Sequence, residues 1–227
     1  MRTGLEEPAR DDLFFLDRRD AGRALAAALE RFRGKDVLVL GLPRGGVPVA
    51  AEVARALDGD LDVVVARKLG SPGSAELAIG AITADGQRVL NEDVIRDQRV
   101  SEAYIEAVSA VQQAEARRRE TAFRGGRPAP RIAGRIVILV DDGLATGATM
   151  RAAVRAVRRQ APARLVVAVP VGAPAACEML RSEADEVVAL GEPEYFGAVG
   201  TFYRDFRQTE DDEVLHLLEE HAAAPAH

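Results

Sequence analysis

The chain has 227 residues, which at about 100–200 residues per domain makes one large domain or two small ones. Apolar residues make up 48%, charged residues 29%, and the net charge is −6, so the chain lacks the basic excess that marks most nucleic-acid binders. The single cysteine, Cys177, excludes an internal disulfide and a cysteine-rich zinc site, and reads as a small buried apolar side chain.

In chain order, the opening stretch MRTGLEEPARDDLFF carries early acids and no apolar segment, so it does not read as a signal peptide. Asp20 to Phe32 has apolar residues at helical spacing, with Asp20 as the expected cap. Strands are predicted at 36–41 and 61–66, with a helix over Val47 to Leu57 between them. That is a βαβ unit, which implies parallel strands and a right-handed crossover. Glu76 to Thr83 and Gln87 to Leu90 flank Ala84-Asp85-Gly86 and read as a hairpin. Ser101 to Thr121 reads as a helix whose polar second half faces solvent, and Arg124 to Arg131 as a turn-rich break.

Alternation then resumes. Strands are predicted at 136–140, 164–169 and 186–190, with helices over Ala148 to Gln160 and Pro174 to Glu183. The expected fold is α/β, a doubly wound parallel sheet of about five strands. The expected organisation is one domain, with a core over about 20–191 and a hood formed by 192–227 together with N-terminal residues. The hood segment concentrates aromatics (Tyr195, Phe196, Phe202, Tyr203 and Phe206) before a final helix over Asp211 to His221. The last three of these aromatics read as packing within the hood. His216, His221 and His227 read as solvated. The longest apolar run, Leu165 to Cys177, holds two prolines and falls short of the about 20 residues that span a membrane. The expectation is a soluble, cytoplasmic protein.

The most informative stretch is VILVDDGLATGATM, from Val137 to Met150. An apolar strand delivers two adjacent carboxylates, Asp141 and Asp142, to its C-terminal end, where open α/β sheets place their ligands. A tight loop follows, then a helix start. Loop N–H groups and a helix N-terminus attract an anion, and the hydroxyls of Thr146 and Thr149 add donors. Acids beside an anion cradle suit a sugar phosphate, with carboxylates accepting from ribose hydroxyls and the cradle holding the phosphate. An acid pair at a strand end also suits a metal or phosphoacceptor site, and a glycine-rich turn suits a dinucleotide. Neither G-x-G-x-x-G nor G-x-x-x-x-G-K-S/T is present, however.

This stretch resembles the phosphoribosyl diphosphate (PRPP) signature of type I phosphoribosyltransferases, and its wording is most similar to that of adenine phosphoribosyltransferases. The resemblance implies that Asp141 and Asp142 hold the ribose 3′- and 2′-hydroxyls. It also implies that Ala145, Thr146, Gly147, Ala148 and Thr149 bind the 5′-phosphate. Leu42-PRGGVPVA-Ala50 follows the first strand, in the place of the family's diphosphate loop, where Arg44, Gly45 and Gly46 would contact diphosphate. Arginine offers a planar fork of donors there, and the glycines allow close backbone approach. Family members often hold a non-proline cis bond in this loop, expected here at Arg44–Gly45.

Arg67-Lys68 resembles the pair that opens the mobile catalytic loop of adenine and orotate enzymes, which would give Lys68 a catalytic role and Arg67 a diphosphate contact. The sequence after it, LGSPGSAELAIG, departs from that pattern. Segments from DRRDAG to AVGTFYRDF resemble one branch of the superfamily of uncharacterised substrate, some members of which are fused to hydrolase domains; the chain reads as the transferase unit alone.

The implied reaction transfers the phosphoribosyl group from PRPP to a nitrogen acceptor, most simply a nucleobase, with release of diphosphate. Mg²⁺ is the implied cofactor, held mainly by substrate oxygens, with Asp141 and Asp142 as the protein groups near it. Enzymes for 6-oxopurines carry an acid at the position of Ala145, so that specificity is disfavoured, and Glu76 is a candidate acid for the base. By loose resemblance to a purine-binding tail, Phe196 is the stacking candidate and Tyr195 the second. The expected partners are PRPP and a small acceptor, with no membrane and no nucleic acid; a homodimer is compatible with this reading. The arginines at 117–119 and 151–159 are interleaved with helix surface rather than gathered on one basic face. The competing reading is a regulator that senses PRPP or nucleotides without turnover.

Overall fold

The computed structural model describes residues 14–223, apart from the side chains of Ala75 and Glu76. His227 and most of the opening stretch therefore lie outside the described residues. The centre is a five-stranded parallel sheet of β1 (Val37–Gly41), β2 (Asp60–Val63), β6 (Ile136–Val140), β7 (Arg164–Val171) and β8 (Glu186–Gly191). The strands lie in the order β2-β1-β6-β7-β8 and every pairing is parallel. β1 and most of β6 and β7 are buried on both faces, which is why they read as continuous Val/Leu/Ile runs rather than alternating ones.

Helices cover both faces. α1 (Arg18–Ala28) and α2 (Gly46–Leu57) pack with Val37, Val39, Ile138 and Val166. α5 (Ala148–Arg158) and α6 (Pro174–Arg181) cover Leu38, Leu40, Leu139 and Val167. The expected cap of α1 shifts by one turn. Asp17 caps it by accepting from the Asp20 N–H at 2.8 Å, while the Asp20 carboxylate reaches back to the Leu16 N–H at 3.1 Å. This reciprocal cap fixes Arg18 as the first helical residue.

The predicted strand over 61–66 is two strands. β2 ends at Val63, and the chain turns through Val64 and Val65 into β3 (Ala66–Ser71), part of a separate antiparallel sheet with β4 (Ser74–Thr83) and β5 (Arg88–Leu90). The predicted hairpin at Ala84–Gly86 joins β4 to β5. α3 (Glu92–Asp97) and α4 (Glu102–Arg124) follow, capped by Asn91 and Ser101. α4 is less solvated than its polarity suggests. Ala116 and Phe123 join the main core, and Glu120 accepts from the Val65 N–H at 3.1 Å. Burial holds the Glu120 carboxyl above the ordinary range.

The segment expected to form the hood packs in two places. Phe15 pairs with Tyr203, and Phe15, Ala21 and Tyr203 form a small core with Phe202 and Phe206. α7 (Asp211–Ala223) leaves the hood, and its Val214, Leu217 and Leu218 pack into the main core. His221 is not free in solvent, because a ring nitrogen lies 2.8 Å from the Gly59 carbonyl oxygen. His216 is exposed, beside Glu220.

Candidate active site

Chain order reverses between β1 and β6, the switch point at which open α/β sheets bind ligands. The register places Gly41 directly beside Val140, and the Leu42 N–H donates to the Val140 carbonyl at 2.9 Å. The loops Leu42–Gly46 and Asp141–Gly147 therefore leave the sheet side by side.

The second loop is anchored at Leu144, whose N–H donates to the Val171 carbonyl and whose carbonyl accepts from Ala173. Gly147 then takes φ +75°, a left-handed conformation that favours glycine. A Cβ there would also lie 2.9 Å from Met179 Cε. Among the described residues, no protein acceptor takes the N–H groups from Ala145 to Met150, and Ala145 and Thr146 are exposed. Part of this run is the set of free donors at the start of any helix, here α5. All five predicted phosphate residues lie in this run.

The acid pair is enclosed. The Asp142 carboxylate sits so close to Gly45 that a Cβ there would fall 2.8 Å from Asp142 Cγ. A Cβ on Gly46 would fall 2.7 Å from the Val140 carbonyl oxygen and 2.9 Å from Asp141 Cα. The two glycines are thus required first by the approach of one loop to the other. The cis bond in this loop is Pro43–Arg44, one residue before the expected place. Gly45 already has helical angles at the start of α2, so the Arg44–Gly45 bond belongs to that first turn, where a trans peptide fits.

Arg18 Nε donates to Asp142 Oδ2 at 2.8 Å in a nearly buried pair. The Tyr203 hydroxyl donates to the Asp142 carbonyl oxygen at 2.6 Å. The Asp142 N–H donates to Asp141 Oδ1 at 2.9 Å, and Asp141 has no cation paired with it among the described residues. Burial, with the neighbouring Asp142 carboxylate adding, holds the Asp141 carboxyl well above the ordinary range. Burial also raises Asp142, opposed by the Arg18 guanidinium.

The other predicted residues fall into four groups. Arg44 turns toward the start of α7, 3.2 Å from Glu210 Oε2 and 3.7 Å from Asp211 Oδ1. Arg67 and Lys68 point to opposite faces of β3, as neighbours on a strand must. Lys68 is paired with Ala81, which packs with Ala148 and Ala152 of α5, so it lies on the side of the Thr146 loop. Arg67 is paired with Ile82 on the α4 side, and its Nε donates to Gln112 Oε1 at 2.6 Å. The structure does not bring this predicted pair to one place. In the hood, Phe196 lies against Phe202 with ring centroids 5.5 Å apart, while Tyr195 is 89% exposed. Glu76 stands on β4, with its side chain outside the described residues.

Two residues of this site escaped the sequence reading, Arg18 and Tyr203. The D-R-R-D capping pattern was a signal for where α1 begins, but no spacing rule connects Arg18 to an aspartate 124 residues away. Tyr203 was expected in the hood core, and it is there; its hydroxyl contact to the acid pair was not legible.

Comparison with known proteins gives the class. The chain belongs to the phosphoribosyl transferase domain family, which it matches over residues 16–206. Two Mycobacterium tuberculosis proteins, from strains H37Rv and CDC 1551, are each 51% identical over 205 residues, and their names assign them provisionally to the phosphoribosyl transferases. The alignment covers 90% of this chain and 46% of each relative, so the chain spans about half the length of these curated relatives. The crystal structure of TT1426 from Thermus thermophilus is 48% identical, with a TM-score of 0.77, covering 91% of this chain and 98% of that one.

Proposed function

We propose that this domain transfers the phosphoribosyl group of PRPP to a nitrogen acceptor, a nucleobase in the simplest case, and releases diphosphate. The observation that carries this reading is the pair of loops leaving Gly41 and Val140 together, one with a run of open N–H donors and the other with Arg44. The donors from Ala145 to Thr149 take the 5′-phosphate. Asp141 and Asp142 accept from the ribose hydroxyls. Arg44, Gly45 and Gly46 face the diphosphate, with Lys68 approaching from β3. Arg44 must exchange Glu210 and Asp211 for the diphosphate when PRPP enters.

In the reaction the C1–O bond breaks and diphosphate leaves with the electron pair. The C1–N bond forms from the acceptor's lone pair, and the acceptor nitrogen's proton passes to the leaving diphosphate or to solvent. Positive charge grows on the ribose ring beside the acid pair, while Arg44 and Lys68 meet the charge on diphosphate. The donor set fits a Mg²⁺ ion carried in with the substrate. Asp141 and Asp142 would be the protein groups near it, and because Asp142 is already engaged by Arg18, most of the ion's ligands would be supplied by substrate and water. Bound there, the ion would neutralise charge on the departing diphosphate. Phe196, and Tyr195 after it, are the aromatic faces available to a planar base. Among the described residues no helix is long and apolar enough to cross a membrane. The arginines of α5 are engaged, Arg151 and Arg155 by Glu183 and Arg158 by Asp185.

The test is diphosphate release from PRPP and Mg²⁺ across a panel of nucleobases and amines. Release with one acceptor class supports the transferase. Tight PRPP binding with no release for any acceptor supports the sensing regulator instead.

A further inference from the structure

We infer that Arg18 is a positioning residue for sugar recognition, orienting Asp142 toward the ribose 2′-hydroxyl and tying that carboxylate to the hood. The inference rests on the reading of the pocket as a phosphoribosyl site.

Four contacts converge on this one side chain. Its Nε donates to Asp142 Oδ2 at 2.8 Å. Its Nη1 donates to the Arg207 carbonyl oxygen at 2.7 Å. Its guanidinium carbon lies 4.0 Å from the centroid of the Phe206 ring. Gly45 closes the same space from the other side, since a Cβ there would lie 3.2 Å from Arg18 Nε. Asp142 is thereby fixed on several sides: Arg18 on one carboxylate oxygen, Gly45 against the carboxylate, and Tyr203 on its carbonyl. Asp141 has no such clasp. The reciprocal cap formed by Asp17 and Asp20 sets the direction in which Arg18 leaves α1.

A carboxylate held by one guanidinium nitrogen keeps its remaining lone pairs for a ligand hydroxyl. An oriented, charged acceptor distinguishes a hydroxyl from a hydrogen by leaving a buried polar group unmatched in the second case. Lysine cannot reproduce the arrangement. It is a single point of charge, whereas guanidinium can bind Asp142 and the Arg207 carbonyl at once. Arg18 thus joins sugar recognition to the segment of Tyr203, Phe206 and Arg207 that packs beside the acid pair.

The test compares binding of ribose 5-phosphate and 2-deoxyribose 5-phosphate by calorimetry in the wild type, Arg18→Met and Arg18→Lys. Arg96→Met, which removes an exposed arginine of α3 paired only with Asp93 among the described residues, is the control. The wild type and the control should prefer the ribose form. Arg18→Met should lose about tenfold in affinity for it and bind both sugars equally. Arg18→Lys should fall between, and guanidinium ion at non-denaturing concentration should restore part of the preference to a third variant, Arg18→Ala. Unchanged discrimination in folded Arg18→Met overturns the role of Arg18 and leaves the pocket reading intact. If Arg18→Met does not fold, Arg18→Lys decides, and full wild-type discrimination there overturns the role. Wild-type protein that binds neither sugar phosphate overturns the pocket reading, and this inference with it.

Discussion

The two ends of the candidate pocket are prepared differently. At the phosphate end, the run from Ala145 to Thr149 is anchored by backbone bonds at Leu144, backed by α6, and holds its N–H groups open. At the proposed sugar and diphosphate end, Arg44 is already paired with Glu210 and Asp211, while Arg18 holds one oxygen of Asp142 and leaves the other open. The first end is preorganised, so little reorganisation opposes an incoming phosphate. At the second, on the proposed reading, Arg44 must exchange partners, so ligand entry there is coupled to the start of α7. On the proposed reading, phosphate capture and diphosphate binding thus fall to different loops of one crevice.

The largest expected effect lies at the rigid end. Gly147→Val forces a β-branched residue into the left-handed region and against Met179, which displaces the loop. Affinity for PRPP and for ribose 5-phosphate should fall at least ~100-fold, roughly 2.8 kcal/mol, with the fold retained by circular dichroism. Unchanged affinity would remove the phosphate site from this loop. Next comes the acid pair. Asp142→Asn keeps the size and one acceptor oxygen but loses the charge that, on the proposed reading, faces the ribose ring as it turns cationic. The turnover rate should drop ~100-fold, about 2.7 kcal/mol, with a smaller change in PRPP affinity. An equal loss in both would mean that Asp142 binds sugar without favouring the transition state.

What was legible in the sequence follows the same division. The strand–acid–glycine–helix run from Val137 to Met150 is local, and each of its residues acts within a few positions of its neighbours. The sheet was legible too, because β1, β6 and β7 are buried runs with turn residues on either side. The break between β2 and β3 was not. Val63, Val64 and Val65 form an unbroken apolar run, and the chain leaves one sheet for another without a glycine or proline. Treating 61–66 as a single strand left Arg67 and Lys68 at its end, where they read together as a motif; the structure puts them on β3 and sends them to opposite faces. The clasp on Asp142 and the ion pair on Arg44 were invisible for a different reason. They join α1 to β6 and the β1 loop to α7, and long-range pairing of charges leaves no periodic trace.

The closed end can be loosened as well as broken. On the proposed reading Glu210 and Asp211 compete with diphosphate for Arg44, so the double variant Glu210→Gln, Asp211→Asn should raise PRPP affinity about two- to fivefold. Exposed ion pairs are worth about 0.2–1 kcal/mol each, which sets that scale. The gain should shrink as salt rises, because screening weakens the wild-type pairs already. Weaker PRPP binding in the double variant would show that these acids support the loop rather than compete for it.

The smallest effect is a null expected at the rigid end. Cys177 is fully buried on α6, the helix whose Ala176 and Met179 back Gly147. Burial pushes its thiol up to about 11, with Glu192 adding, so it stays protonated through the neutral range. A thiol reagent can therefore reach a reactive sulfur only when α6 opens away from the sheet. If the phosphate loop is set in advance, ribose 5-phosphate should slow labelling of Cys177 only as far as binding stabilises the fold as a whole. Slowing well beyond the shift in global stability, measured by denaturant titration with and without the ligand, would mean that α6 and the loop tighten around the phosphate. Both ends of the pocket would then reorganise on binding, and the contrast between them would be one of degree.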